Sequence, residues 1–287
     1  MSRGGAKLNI SGALESGRVE LVVGDVRDVD AVDKAVAGKD AIFHLAAIRI
    51  TRCALEPRLA NDILVNGTFN VLEAAANHGV SKVIASSSAS VYGLADEFPT
   101  TESQHPYNND TIYGAAKAYN EAMLRSFHAM YALDYLALRY FNVYGPRMDT
   151  EGKYTEVMIR WMEAIAKGLP PVIHGDGSTT MDFVYVGDIA RANIAALRSD
   201  VTDEVFNIAT GIETSLLDLA NALIEVMGVD VTPQFEEARS VGGVTRRRAS
   251  TAKAQSMLGY SPETNLHTGL QKLVEWWKAS ALATLGQ

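Results

Sequence analysis

The chain has 287 residues, 47% hydrophobic and 21% charged, with a formal net charge of −8; it can bury one sizeable core and a smaller attached lobe, and is too apolar to be disordered. The acidic balance disfavours nucleic-acid binding, and the one basic run, Arg246-Arg247-Arg248, reads as a phosphate contact or a solvated loop. Cys53 is the only cysteine, which excludes an intramolecular disulfide, and no stretch approaches the roughly 18–20 apolar residues of a bilayer span. The opening Met1-Ser-Arg-Gly-Gly-Ala-Lys lacks the hydrophobic centre of a signal peptide, so a cytoplasmic protein is expected.

The elements read in chain order. Residues 19–23 (Val-Glu-Leu-Val-Val) form a β-branched run predicted as a strand, followed by a short helix over 28–37. Residues 41–45 are a second strand, and 57–78 carry a long amphipathic helical pattern. A third strand over 82–86 leads through a loop to a helix over 113–131, and 135–139 is a fourth strand. Apolar strands without polar alternation, separated by helices, predict a parallel sheet covered on both faces, hence a doubly wound α/β architecture. Beyond about residue 145 the pattern loosens. Helices are predicted over 155–167, 188–198, 216–227 and 266–280, with short strands near Val172, Phe183, Val205 and Val231. The expected organisation is a first domain over 1–145 and a smaller lobe over 146–287, some of whose segments return to the first.

The local signal with most chemistry is Tyr113-Gly-Ala-Ala-Lys117. Four residues apart on a helix, the two side chains share a face. An ammonium beside a phenol favours the phenolate, and such a tyrosine can pass a proton to or from a hydroxyl near neutral pH. An ordinary exposed helix pair has the same spacing. Upstream, the third strand runs into Ser86-Ser-Ser-Ala-Ser-Val-Tyr-Gly93. Loops at the carboxyl ends of parallel strands are where doubly wound folds take ligands, and a serine there can hydrogen-bond the same oxygen.

These two motifs, with Ser88 standing 25 residues before Tyr113, resemble the catalytic core of nucleotide-sugar epimerases of the extended short-chain dehydrogenase/reductase family, of the UDP-glucose/UDP-galactose 4-epimerase type. Further marks follow in the same order: Gly24-Asp-Val-Arg-Asp28, His44-Leu-Ala-Ala47, Leu138-Arg-Tyr-Phe-Asn-Val-Tyr-Gly-Pro146, Asp182-Phe-Val-Tyr-Val-Gly-Asp188 and Leu258-Gly-Tyr-Ser-Pro262. The resemblance implies a Rossmann-like sheet, NAD as cofactor, and a hydride removed from and returned to a sugar C4 through a 4-keto intermediate. It makes Tyr113 the acid/base, Lys117 the group that lowers its pKa and holds the nicotinamide ribose, and Ser88 the group that polarises the sugar hydroxyl. It places Asp25, Val26, Leu45, Ala46, Ala47, Ser86, Tyr140 and Val143, with Tyr113 and Lys117, on the cofactor, and Ser88, Tyr113 and Asn142 on the substrate. Related 4,6-dehydratases carry a carboxylate after the catalytic Ser/Thr; Ala89 and Ser90 stand there, which disfavours dehydration.

The sequence departs from the family in four places. The family opens with a strand, a Gly-x-x-Gly-x-x-Gly turn, a helix and a second strand, the turn bringing backbone close to the pyrophosphate. Gly4, Gly5 and Gly12 do not fit it, so a form shortened by roughly 35 residues, about one strand–helix–strand unit, is expected. That loss would leave the 19–23 strand without its neighbours. Met181 stands where relatives carry a diphosphate-binding arginine, and a second such arginine aligns near Ser240, beside Arg239. Leu64 replaces a cofactor-side asparagine, a role not transferred to Asn66. His44 and His174 lack the spacing of a metal set and read as structural, so no metal is expected.

The expected partner is a nucleotide-linked hexose, UDP-linked, in polysaccharide precursor synthesis. The helices over 57–78 and 113–131 match those of a dimer interface in relatives, implying a homodimer. Two other readings use the same residues: a dehydratase or reductase on this scaffold, or an inactive fragment serving as a binding subunit.

Overall fold

A computed structural model of the chain describes residues 9–105, 108–150, 157–238 and 244–285. The opening segment with Gly4 and Gly5, the first two residues of the 155–167 helix, and Arg239 with Ser240 lie outside them.

The centre of the molecule is a four-stranded parallel sheet. Short helices α1 (Ser11–Glu15) and α2 (Val29–Val36) precede strand β1 (Ala41–His44). Helices α3 (Ile50–Leu55) and α4 (Pro57–Asn61) follow, then a π turn (Asp62–Asn66) and α5 (Gly67–Asn77). Strand β2 (Lys82–Ser88), a 3-10 turn (Ala89–Tyr92), helix α6 (Ile112–Tyr131), strand β3 (Asp134–Tyr140) and strand β4 (Asn142–Tyr144) complete the first half. Then come α7 (Val157–Ala166), β5 (Val172–His174), β6 (Thr180–Met181), β7 (Phe183–Tyr185), α8 (Val186–Arg198), β8 (Glu204–Ile208), β9 (Thr214–Ser215), α9 (Leu216–Met227), β10 (Gln234–Glu236), α10 (Ala252–Leu258) and α11 (Leu266–Leu285).

The central sheet runs β1-β2-β3-β8. Its strands carry apolar residues on both alternations because both faces are covered. Val83, Ala85, Tyr135 and Ala137 pack with Val71, Leu72, Leu124 and Phe127 of α5 and α6 on one side. Their alternating neighbours Ile84, Leu136 and Leu138 pack with Ile189, Ala192 and Ala196 of α8 and with Ala254 of α10 on the other. Each large aliphatic side chain so buried contributes roughly 1.5–3 kcal/mol. Segments beyond residue 145 thus return to the main sheet. A separate core of Trp161, Ile165, Leu219, Leu223, Leu270 and Leu273 holds together α7, α9 and α11.

Two expected strands differ. Residues 19–23 form no strand, and Val22 and Val23 are 62% and 85% exposed. An extended run becomes a strand only when a neighbour supplies the ladder, and among the described residues the sheet ends at β1, whose one partner is β2. The chain is anchored again at Val26, whose carbonyl accepts from Asn70 Nδ2 at 3.0 Å. The strand expected near Val231 lies three residues later, at Gln234–Glu236, where β5 offers its parallel partner. The long 57–78 pattern is interrupted by the π turn, whose Leu64 carbonyl is taken up by Thr68 Oγ1 at 2.6 Å and Asn120 Nδ2 at 2.9 Å.

Candidate active site

At the carboxyl end of β2 the backbone turns sharply through the 3-10 turn, and the Ser88 hydroxyl caps it by accepting from Ser90 N at 3.1 Å. Helix α6 starts directly beside this turn. Thr111 Oγ1 caps it by accepting from Gly114 N at 3.1 Å. Asn109 fastens the two together: its Nδ2 donates to Ser90 O at 2.7 Å, and its Oδ1 accepts from Thr111 N at 3.1 Å. The approach is so close that a Cβ on Gly114 would lie 2.4 Å from Ser90 O. This contact sets the Tyr113 hydroxyl beside the Ser88 side chain.

Lys117, one helical turn on, is 3% exposed. Its Nζ donates to Ser86 O at 2.6 Å and lies 5.8 Å from the centroid of the Tyr113 ring. Burial pushes the ammonium down to about 8, opposed by the Glu121 carboxylate. The Tyr113 phenol moves up, not down as the Tyr-Lys spacing suggests. Burial dominates, the neighbouring Ser88 hydroxyl opposes it, and the ammonium is directed to the strand carbonyl instead.

The other expected site residues fall around this centre in different states. Leu45 and Ala47 are exposed where the chain leaves β1, with Ala46 half-buried between them. Ser86 presents both its carbonyl and its hydroxyl to Lys117. Asp25 forms an exposed pair with Arg27, Nη2 to Oδ2 at 2.6 Å, which holds its carboxyl down near about 2. Val26 packs on the start of α5, where a Gly67 Cβ would lie 2.7 Å from its Cγ2. Tyr140, in register with Ser88, donates its hydroxyl to Asn193 Oδ1 at 3.0 Å. Val143 is 36% exposed on β4, and Asn142 Nδ2 donates to Asp182 O at 3.1 Å.

Each arginine of the basic run has a partner within the chain, Arg246 while remaining exposed. Arg246 pairs with Glu213 at 2.6 Å and lies over the Phe98 ring, Arg247 Nη1 donates to Ala89 O at 2.7 Å, and Arg248 Nε donates to Gly211 O at 3.0 Å. His44 is buried against Thr68 Oγ1 at 2.9 Å, and burial lowers it to about 4, which keeps it neutral. Two groups escaped sequence reasoning. Asn109 had only its place two residues before a helix cap, a common turn position. The buried ion pair of Glu121 and Arg139, 2.6 Å apart, was half legible, since Glu121 lies a further four residues along the Tyr113–Lys117 face.

For a dinucleotide, the donor set on α6 and β2 fits the nicotinamide ribose half: a buried ammonium, a phenol and serine hydroxyls converge at one strand end. At the pyrophosphate end, no glycine turn joins a strand to a helix before β1 among the described residues, and Gly12 sits inside α1.

The comparisons with known proteins agree with this geometry. Residues 4–209 match the family described as NAD dependent epimerase/dehydratase. The chain is 36% identical over 265 residues, 91% of its own length and 85% of the other, to a putative UDP-glucose 4-epimerase of Methanocaldococcus jannaschii. It is 36% identical over 273 residues, 94% of its length and 86% of the other, to UDP-glucose 4-epimerase of Mycolicibacterium smegmatis. It superposes on the UDP-glucose 4-epimerase of Thermotoga maritima, solved with UDP-glucose, with a TM-score of 0.85 and 33% identity, covering 90% of this chain and 84% of that one. The UDP-glucuronic acid 4-epimerase of Bacillus cereus, solved with UDP-glucuronic acid and NAD, gives a TM-score of 0.87 at 28% identity, covering 96% of this chain and 87% of that one. With its parallel sheet, its serine-rich strand end and these relatives, the chain belongs to the NAD dependent epimerase/dehydratase family.

Proposed function

We propose that this NAD-dependent nucleotide-sugar 4-epimerase works through Ser88, Tyr113 and Lys117, on a UDP-linked hexose. The observation that carries the assignment is the Tyr113–Ser88 hydroxyl pair at the carboxyl end of β2, backed by the buried Lys117 ammonium. Bound NAD supplies the acceptor and donor of the C4 hydride. In its phenolate form Tyr113 takes the proton of the sugar 4-hydroxyl and, as the phenol so formed, returns it after the 4-keto sugar has turned its other face. Ser88 holds the same sugar oxygen, and Lys117 donates to the cofactor ribose while keeping positive charge beside the phenol. Most of the protein's contribution is position, since two close packings, at Gly114 and at Asn109, fix the donors before substrate arrives.

Asp25 and Val26 are assigned to the adenosine end, Leu45, Ala46, Ala47 and Ser86 to the middle of the cofactor, and Tyr140 and Val143 to its nicotinamide end. Asn142 and the lobe of α7, α9 and α11 are assigned to the sugar nucleotide. With Ala89 and Ser90 after Ser88, the strand end lacks the carboxylate that dehydration needs. We place the reaction in the cytoplasm, in the supply of polysaccharide precursors. The homodimer is assigned to the α5–α6 face, where Phe69, Tyr119, Met130 and Tyr131 line an open groove of about 530 Å³.

The deciding experiment is the dinucleotide content of the purified chain, measured with its interconversion of UDP-glucose and UDP-galactose. Stoichiometric NAD and interconversion support the reading. Bound NAD with release of a stable keto-sugar would favour the dehydratase reading, and absence of both would favour a binding subunit.

A further inference from the structure

Behind Lys117, away from the Tyr113–Ser88 pair, lies a buried ion pair that the proposed chemistry leaves unused. Tyr113, Lys117 and Glu121 follow one another at intervals of four on α6, hence along one face. The Glu121 carboxylate is held on three sides. Arg139 of β3 donates to it twice, Nε to Oε1 at 2.9 Å and Nη2 to Oε2 at 2.6 Å, and the Ser87 hydroxyl donates to Oε1. The side chains of Arg139 and Glu121 are 5% and 10% exposed. Arg139 and Ser87 face each other in the β2–β3 register, so the pair straddles the strand end that carries Ser86 and Ser88. The second arm of Arg139 donates to Tyr92 OH at 2.7 Å, and Tyr92 OH donates to Asn207 Oδ1 at 2.6 Å. The 3-10 turn, β3 and β8 are thereby tied to one carboxylate.

We propose that Glu121 is a positioning residue of the catalytic pair: clamped by Arg139 and Ser87, it fixes α6 against the end of β2 and is the counter-charge of the Lys117 ammonium. The proposal rests on the assignment of Tyr113 and Lys117 given above. The other titratable groups acting on Lys117 carry no charge in its working range. On β1, His44 is held near 4 by burial and is neutral. On α3, burial pushes the Cys53 thiol up, and on α6 it pushes the Tyr113 phenol up, so in the chain without cofactor and substrate both keep their protons. Glu121 is the first group to oppose the burial that lowers Lys117. A bidentate arginine keeps that carboxylate ionised and aimed.

The test follows the Lys117 side-chain resonance of the labelled full chain through a pH titration, identified by its loss in Lys117→Arg. The wild-type midpoint is expected at about 8. In Glu121→Gln it falls by about a unit or more, because its counter-charge is gone. In Arg139→Gln it does not fall, because the Glu121 carboxylate stays. Loosening of the core would instead move both variants upward, toward the ordinary lysine value. A midpoint in Glu121→Gln at or above the wild-type value overturns the proposal. Should that variant fail to fold, the pair Glu121→Gln/Arg139→Met, which removes both charges at similar volume, takes its place. Its midpoint also falls, since Glu121 and not Arg139 acts on Lys117; a rise or no change overturns the proposal. Turnover of UDP-galactose retained in Lys117→Met would show instead that the pair is not catalytic, an outcome read separately from the titration.

Discussion

Lys117 Nζ donates to the carbonyl of Ser86 at 2.6 Å, so the ammonium is pinned to the strand end that also presents Ser88. The helix and the strand that carry the proposed catalytic residues are joined by a charged hydrogen bond in a buried place, where such bonds are strongest. Tyr113 then has little freedom in its distance from Ser88. The geometry of the proposed acid/base depends on that joint more than on the sequence spacing alone.

Tyr113→Phe removes the proton carrier and leaves the ring. Turnover is expected to fall by about 10²–10⁴-fold, the usual share of a general acid/base, with dinucleotide content unchanged. Steady-state kinetics with UDP-galactose and absorbance of the released dinucleotide measure the two. Retained turnover removes Tyr113 from the mechanism.

His44 makes stability depend on pH. Its folded value is lowered to about 4 from 6.5, because a 7% exposed imidazole resists charging. The unfolded chain therefore binds the extra proton between those values. Stability is full above about 6.5 and declines as pH falls toward 4, by an amount on the order of 3 kcal/mol. Urea midpoints across pH 4–7 should show the decline, and His44→Gln should flatten it.

Gly114→Ala puts a methyl group 2.4 Å from Ser90 O and 2.3 Å from Asn109 Nδ2. Backbone on one side cannot yield cheaply, so destabilisation of about 1–3 kcal/mol is expected. The strain falls on the Tyr113–Ser88 distance, and kcat should drop with it. Asn109→Ala should lower kcat through the same joint while relieving no clash. Denaturant unfolding with parallel kinetics distinguishes them.

The α5–α6 groove predicts an assembly. Tyr131 and Met130 are 57% and 69% exposed on α6, opposite Phe69 at 43% on α5. Charged substitutions such as Phe69→Asp with Met130→Asp should convert a dimer into monomer, as read by sedimentation velocity, and leave the far-ultraviolet spectrum intact. An unchanged sedimentation coefficient would remove this face from the interface.

Much of this protein is legible in local sequence. The run at β2 is apolar on both alternations, Val83 and Ala85 against Ile84, because α6 and α8 cover both faces; that is a property of composition and could be read before any fold. The Tyr113–Lys117 spacing is likewise a fact of helical geometry, as is the serine cluster ahead of it. What tertiary structure alone decided is where long-range partners fall. Residues 19–23 have the composition of a strand and are not one, because a strand exists only with its ladder, and β1 ends the described sheet. The arginines at 246–248 look alike in sequence and go to a carboxylate, a carbonyl of the 3-10 turn and a loop carbonyl, because the chain returns past Ala89, Gly211 and Glu213. The direction of the Tyr113 shift was settled the same way: spacing put the lysine on the right face, and burial with the Ser86 carbonyl decided what its charge would do.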